Sequence, residues 1–239
     1  KLTPPQVNKL IRDTADTMPE DATGFSQFSE TQINATLQAL QAWSDVANVT
    51  FTRVGGGTGE SPYSNEATIL FGNYNDGMEG AAAFSYQPTD SANTSTSSDI
   101  WINTSYSYEA NPALLNYGQQ TLLHEIGHAL GLEHPADYDA TGDAPTYGDD
   151  AVYYEDSRQY TVMSYFGEGH TGADFIGYYA SAPLMDDIAA AQRLYGANMT
   201  TRATNTTYGF NSNAGRDWFA AADGNTALIF CVWDAGGLD

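Results

Sequence analysis

The chain has 239 residues, 41% of them hydrophobic, and its 30 acidic against 8 basic side chains leave a formal charge of −22. That apolar content is enough to bury a core, while the acidic balance argues against nucleic acid or an anionic membrane as a partner, because both select basic patches. A single cysteine, Cys231, excludes an internal disulfide framework, and no apolar run reaches the ~18 residues of a membrane span.

The opening stretch, "KLTPPQVNKL", lacks the apolar core of a secretory leader. The first helix is predicted from about residue 29, where Ser29 and Gln32 offer a capping box, and its apolar face is read as Ile33, Leu37, Leu40, Trp43 and Val46. The alternation in "NVTFTRV" predicts a half-buried strand ended by Gly55 to Gly57. Further strands are predicted in "ATILFGNY", "GAAAFSY" and "SDIWIN", with residues 88–98 as a polar loop. A second helix covers roughly 117–130 and stops at Gly131, and residues 135–160 read as an extended loop. A third helix, "PLMDDIAAAQRLYG", has Pro183 near its first turn and Gly196 past its end, with Leu184, Ile188, Ala191 and Leu194 on one face. The composition changes near residue 200, which divides the chain into 1–200 and a segment 201–239 too short for a core of its own.

The chemistry concentrates in "HEIGHALGLEHP", residues 124–135, which holds three of the four histidines. His124 and His128 are one helical turn apart and project from the same face, so their rings can occupy two corners of a tetrahedral zinc site. Glu125 can hold a carboxylate over the open position of such a metal, where a general base acts. Gly131 lets the chain turn back through positive φ and bring His134 in as the third ligand. One histidine alone is usually a surface or core residue. The five fixed identities of HExxHxxGxxH, however, arise by chance in a chain of this size on the order of once in 10⁵.

The elongated motif resembles that of metzincin metallopeptidases, which pair it with a methionine turn. Here "YTVMSYF" is similar to that turn, with Met163 as the apolar floor beneath the metal. Pro135 after the third histidine and Tyr165 two residues after the methionine resemble the serralysins, secreted bacterial alkaline zinc proteases. Astacins share the tyrosine but typically carry Glu in place of Pro135. "LQAWSDVANVTF", "GADFIGYYASAPLMDDIAAAQRLYGAN" and "VWDAGG" are similar to serralysin sequence, so the resemblance runs from about residue 24 to the end.

The resemblance implies an α+β metzincin fold, with a twisted mixed sheet of five strands, long helices including the active-site helix, and the beginning of a β-roll domain. It implies zinc held by His124, His128 and His134, with Tyr165 as a further, displaceable ligand. Glu125 would be the general base, and Tyr165 would stabilise the oxyanion. An extended peptide would pair with the sheet edge at Ala81, Ala82, Ala83 and Phe84, which favours broad endopeptidase specificity. Calcium ligands would be Arg202 and Thr204 through backbone oxygens, Thr206, Asp234, the Gly236 and Gly237 carbonyls and Asp239, an oxygen-only set suited to that ion. No G-G-x-G-x-D repeat follows, so a fragment is expected, with the rest of the roll as its missing partner. Protein and peptide substrates are the expected partners, together with a small proteinaceous inhibitor; nucleic acid and membrane are not, and a monomer is expected. An extracellular location follows, in a Gram-negative bacterium with a C-terminal export signal outside this chain. The alternatives are an inactive calcium-dependent binding module, which the intact Glu125 and Tyr165 disfavour, and an astacin-like peptidase, which Pro135 and the single cysteine disfavour.

Overall fold

The computed structural model describes residues 21–53, 67–88, 97–139, 143–224 and 226–237. Among them the chain forms α1 (Glu30–Val46), β1 (Phe71–Tyr74), β2 (Ala83–Ser85) and β3 (Ile100–Asn103). There follow α2 (Ser107–Ala110), α3 (Tyr117–Ala129), α4 (Tyr147–Asp150), α5 (Met185–Tyr195) and a short parallel pair, β4 (Gly209–Phe210) with β5 (Ala220–Ala221). No helix among the described residues is long and apolar enough to cross a membrane.

The capping box on α1 forms as the sequence predicts: the Gln32 amide donates to Ser29 Oγ at 3.2 Å, and Ser29 N donates to Gln32 Oε1 at 3.0 Å. The buried face differs from the expected one. Ala35, Ala39 and Ala42 join Trp43 and Val46 in the core, whereas Leu37 is exposed and Ile33 and Leu40 are half-buried. Small side chains let α1 lie close against α3, where Trp43 Nε1 donates to the Leu123 carbonyl at 3.2 Å. The larger leucines are left to the rim. On α5, Leu184, Ile188 and Ala191 are buried as expected, but Leu194 is exposed. Three turns on from Leu184 the helix brings Tyr195, not Leu194, back to the core face. There its hydroxyl donates to the Leu130 carbonyl at 2.6 Å.

The sheet is mixed, in the order β1-β3-β2. β1 runs parallel to β3 with Phe71 opposite Ile100, and β2 runs antiparallel to β3 with Ala83 opposite Ile102, so among the described residues β2 is an edge strand. It has three strands among the described residues where five were expected. Residues 49–53 do not enter the ladder: Asn48 N donates to Gly196 O at 2.8 Å, which ties the start of the segment to the end of α5, and Val49 N turns back to Ala47 O at 2.8 Å. The alternation there reflects one-sided burial of Val49 and Phe51 against the core rather than strand pairing. Gly55 to Gly57 and most of the 88–98 loop lie outside the described residues. β3 is buried on both faces, with Ile100 and Ile102 in the main core beneath the helices and Trp101 packed with Tyr74 and Ala22 on the other.

The segment after Gly196 shares the main core through Ala214, Trp218 and Phe219. It is also fastened to α1 by charge. Asp45 accepts from Arg202 Nη1 at 2.9 Å and from Arg216 Nη2 and Nε at 2.7 and 2.8 Å.

Candidate active site

The site is built on α3 and the turn that ends it. Asn116 caps the helix by accepting from Gln119 N at 3.0 Å. At the other end Gly131 adopts φ +93, Gly131 N donates to His128 O at 2.8 Å and Leu132 N to Gly127 O at 3.0 Å, the hydrogen-bond pair of a Schellman turn. This reversal brings His134 back beside the helix and turns the Leu132 carbonyl onto His128.

Each imidazole is then fixed through Nδ1 by a backbone carbonyl: His124 by Val162 at 2.8 Å, His128 by Leu132 at 2.8 Å and His134 by Tyr138 at 2.7 Å. A carbonyl only accepts, so Nδ1 carries the proton and each Nε2 presents a lone pair. The three Nε2 atoms converge at 3.1, 3.1 and 3.2 Å from one another. No proton is left to bond them, so three lone pairs at this spacing repel unless a cation sits among them. Zinc–nitrogen bonds of ~2.0–2.1 Å in a tetrahedron separate the nitrogens by about 3.3 Å. The donor set fits zinc. The rings are also neutral, as ligands must be: burial, then the neighbouring imidazoles, hold His124 well below the ordinary range and bring His128 to about 4, and burial lowers His134.

Glu125 follows the first of these histidines and is buried, with Oε2 lacking a hydrogen-bond partner. Burial, with Glu109 nearby, pushes its carboxyl up to about 8. A dication beside it would draw that value back down. Tyr165 packs its ring 4.5 Å from that of His134 and 5.9 Å from that of His124, centroid to centroid. Burial, then Glu125, raises its phenol to about 12, so at neutral pH it is a donor. Met163 is buried beneath α3, where a Cβ built on Gly127 would lie 2.5 Å from its Sδ.

His124, Glu125 and Tyr165 open onto a cavity of about 330 Å³ whose far wall is Ala81, Ala82 and Ala83 on the approach to the edge strand β2. Phe84 does not line it. Successive strand residues face opposite ways, and the Phe84 ring packs 5.7 Å from Tyr74 and 6.5 Å from Trp101 in the second core. The two loops expected to ligate calcium also meet. A Cβ on Gly237 would lie 2.5 Å from the Thr204 carbonyl, Thr206 Oγ1 donates to Thr204 O at 2.8 Å, and Asp234 accepts from Tyr208 OH at 2.6 Å and Gly236 N at 2.9 Å. The Arg202 side chain turns away to Asp45 and to Trp233 O at 2.6 Å, leaving only its backbone for such a site. Asp239 lies outside the described residues. Cys231 is half-buried against the core, where burial raises its thiol.

Sequence reasoning missed the residues behind the site. Asp187 accepts from Val162 N at 2.9 Å, Leu184 N at 2.8 Å and Thr161 Oγ1 at 2.5 Å, and so holds the methionine turn. Asp156 accepts from Tyr138 OH at 2.8 Å and Ser164 Oγ at 2.7 Å, bracing the loop whose carbonyl holds His134. Gly127 had a legible signal, since an isolated glycine inside a helical pattern costs about 1 kcal/mol and calls for a packing reason. The two aspartates had none, being indistinguishable in sequence from the other acidic residues.

Residues 20–153 match the family described as matrixin, and residues 197–239 match the one described as peptidase M10 serralysin C terminal. The chain is 50% identical over 233 residues to a serralysin of Photorhabdus sp. (strain Az29), with 96% of the chain and 46% of that protein covered. It is 52% identical over 221 residues to metallopeptidase AprA of Pseudomonas marginalis, covering 90% and 44%, and 49% identical over 226 residues to serralysin C of Dickeya chrysanthemi, covering 95% and 46%. The chain thus spans just under half the length of these relatives. With the three-histidine centre and both matched segments in place, the chain belongs to the M10 peptidases, in the serralysin family.

Proposed function

We propose that the chain is the catalytic part of a secreted zinc endopeptidase of broad specificity. The observation that carries this reading is the convergence of three neutral imidazole Nε2 atoms beside the buried, unpartnered carboxylate of Glu125, at the mouth of a cavity flanked by a free sheet edge. His124, His128 and His134 would hold the metal. When bound, zinc supplies Lewis acidity towards a peptide carbonyl and favours ionisation of water.

The rest is the work of the chain's own groups. Glu125 accepts the proton of the attacking water and passes it to the leaving amine, a role suited to a carboxyl held near neutrality. Tyr165, protonated at working pH, donates to the oxygen on which negative charge develops, a contact often worth ~3 kcal/mol. Ala81 and the Ala82 carbonyl are bonded within the chain, so an extended peptide would pair with the outer edge of β2 from Ala83 onward, and backbone pairing discriminates little between side chains. Residues 201–239 form the start of a calcium-binding β-roll, with Thr204, Thr206, Asp234, Gly236 and Gly237 supplying oxygens. A small protein inhibitor that fills the cleft and release outside the cell complete the reading.

The test compares the purified chain with Glu125→Ala by metal analysis and casein hydrolysis. About one zinc in both, with proteolysis in the parent alone, supports the assignment and the role of Glu125. A parent that binds zinc and cleaves nothing, with calcium present, would leave a binding module as the better description.

A further inference from the structure

Among the described residues, one Lys or Arg side chain stands in the cleft. Arg158 lines the same cavity as Glu125, Tyr165 and Ala81–Ala83. Among the described residues Arg202 and Arg216 are committed to Asp45, but Arg158 has no carboxylate partner. Its Nε is buried without a hydrogen-bond partner, and among the described residues the only side-chain hydrogen bond it makes is a long one, from Nη2 to Tyr117 OH at 3.4 Å. The guanidinium is held by ring faces instead, with Cζ 5.2 Å from the Tyr117 centroid and 5.9 Å from that of Tyr179.

Its backbone is anchored as well. Arg158 N donates to Phe166 O at 2.9 Å, and the preceding Ser157 shares a 2.6 Å hydrogen bond with Thr171. A planar cation fixed by stacking, with donors left over, is prepared for a planar anion: the fork of N–H groups matches a carboxylate bidentately, and less ordering remains to be done on binding. We infer that Arg158 selects for a carboxylate side chain, glutamate or aspartate, on the substrate residue that enters this cavity beside the scissile bond.

The overall charge of −22 does not oppose this. Charges spread over the surface are screened beyond about 8 Å at physiological ionic strength, whereas a guanidinium in contact with the carboxylate is not. Among the described residues Glu125 is the one carboxylate on the cavity wall, so the local balance there is one cation against the proposed base. The inference adds one acidic subsite to the broad, backbone-read specificity proposed above, and it rests on that reading for its link to cleavage.

The test is a peptide series differing only in Glu, Gln or Leu at each residue flanking the scissile bond, assayed on the zinc-loaded chain and on Arg158→Gln and Arg158→Lys. At one of the two positions the parent should prefer Glu to Gln by about tenfold in kcat/KM. Arg158→Gln should bring that ratio to about one while the Gln and Leu peptides are still cleaved, and Arg158→Lys should fall between. An unchanged ratio in a folded Arg158→Gln overturns the inference. Should that variant fail to fold, the parent alone decides: its Glu-to-Gln ratio must stand near ten at one of the two positions, and a ratio of about one at both is a refutation. Should the parent cleave none of the peptides, the peptidase reading fails. Fluorescence anisotropy of the same peptides on the parent then tests the cleft separately, with equal binding of Glu and Gln peptides counting against Arg158.

Discussion

Asp187 and His124 are joined through a single residue. Asp187, on α5, accepts from the amide of Val162 at 2.9 Å, and the carbonyl of the same Val162 accepts from His124 Nδ1 at 2.8 Å. One helix thereby sets the orientation of the proposed ligand His124 on another, and Met163 is carried along as the next residue. Groups that orient a metal's ligands typically change metal affinity 10–100-fold when removed.

Asp187→Asn should therefore weaken both the fold and the site. The amide oxygen can keep both backbone donors, Val162 N and Leu184 N, but the N–H₂ then faces Thr161 Oγ1, which loses its acceptor, and the charge is gone; the cost should be about 1.5–3 kcal/mol, the range for hydrogen bonds to a charged group. Zinc affinity should fall by at least tenfold. Urea denaturation and a competition titration with a chelator check the two halves, and unchanged zinc affinity would mean that Val162 keeps its place without Asp187.

Gly127→Ala should destabilise despite the gain in helix propensity. That gain is about 1 kcal/mol, but overfilling a packed core costs about 1–3 kcal/mol. Here the added methyl would meet a buried sulfur at 2.5 Å with Trp43 behind it at 3.3 Å. The net loss should be up to about 2 kcal/mol, near the top of that range because the neighbours at 2.5 and 3.3 Å are buried. Adding Met163→Ala, which clears the space, should make Gly127→Ala neutral or favourable in a double-mutant cycle. Additive effects of the two changes would show that they do not meet.

Asp45→Ala should loosen the C-terminal segment. The carboxylate and the Arg202 guanidinium have side-chain exposures of 6% and 7%, whereas Arg216 is 29% exposed. Removing one partner of a buried pair costs about 3–5 kcal/mol, because the other charge is left without compensation. Arg216 can return to water, but Arg202 is trapped over the Phe219 ring, 5.0 Å from Cζ to centroid. Limited proteolysis should cut the variant between residues 200 and 237 well before the parent, and equal rates would rule out the clasp.

Glu109 makes stability depend on pH. It is buried, with Oε1 accepting from Thr121 Oγ1 at 2.6 Å and Oε2 without a partner, and burial pushes its carboxyl from 4.5 up to about 7. The folded chain then holds a proton that the unfolded chain has lost between these two values. Stability therefore falls as pH rises from about 4.5 to about 7 and levels off above. The separation corresponds to about 3 kcal/mol as an upper limit. Glu109→Gln removes this contribution, so the difference in unfolding free energy between variant and parent should shift in the variant's favour by up to that amount from pH 4.5 to pH 8. Parallel urea titrations measure it, and a constant difference would show that Glu109 stays ionised in the folded chain.

What could be read from the sequence was whatever rests on short spacing. The helix of His124 and His128, the stop at Gly131, the return of His134 and the cap at Ser29 each depend on residues within a turn or two, where backbone geometry leaves few choices. The strands at 71–74, 83–85 and 100–103 were legible as short runs set off by turn residues, whereas the burial of the last on both faces was not. Tertiary structure decided the rest. Which face of α1 goes inward depends on how near α3 approaches, and that favoured alanine over leucine. Whether residues 49–53 join the sheet depends on a partner edge, which periodicity does not encode. The carbonyls that orient His124 and His134, the aspartates behind them and the unpaired guanidinium of Arg158 are brought to the site by packing between elements distant in sequence. A carboxylate or a guanidinium in a list of residues carries no record of what will surround it. Its neighbours set its charge state, its free donors and its role, and they exist only once the chain has folded.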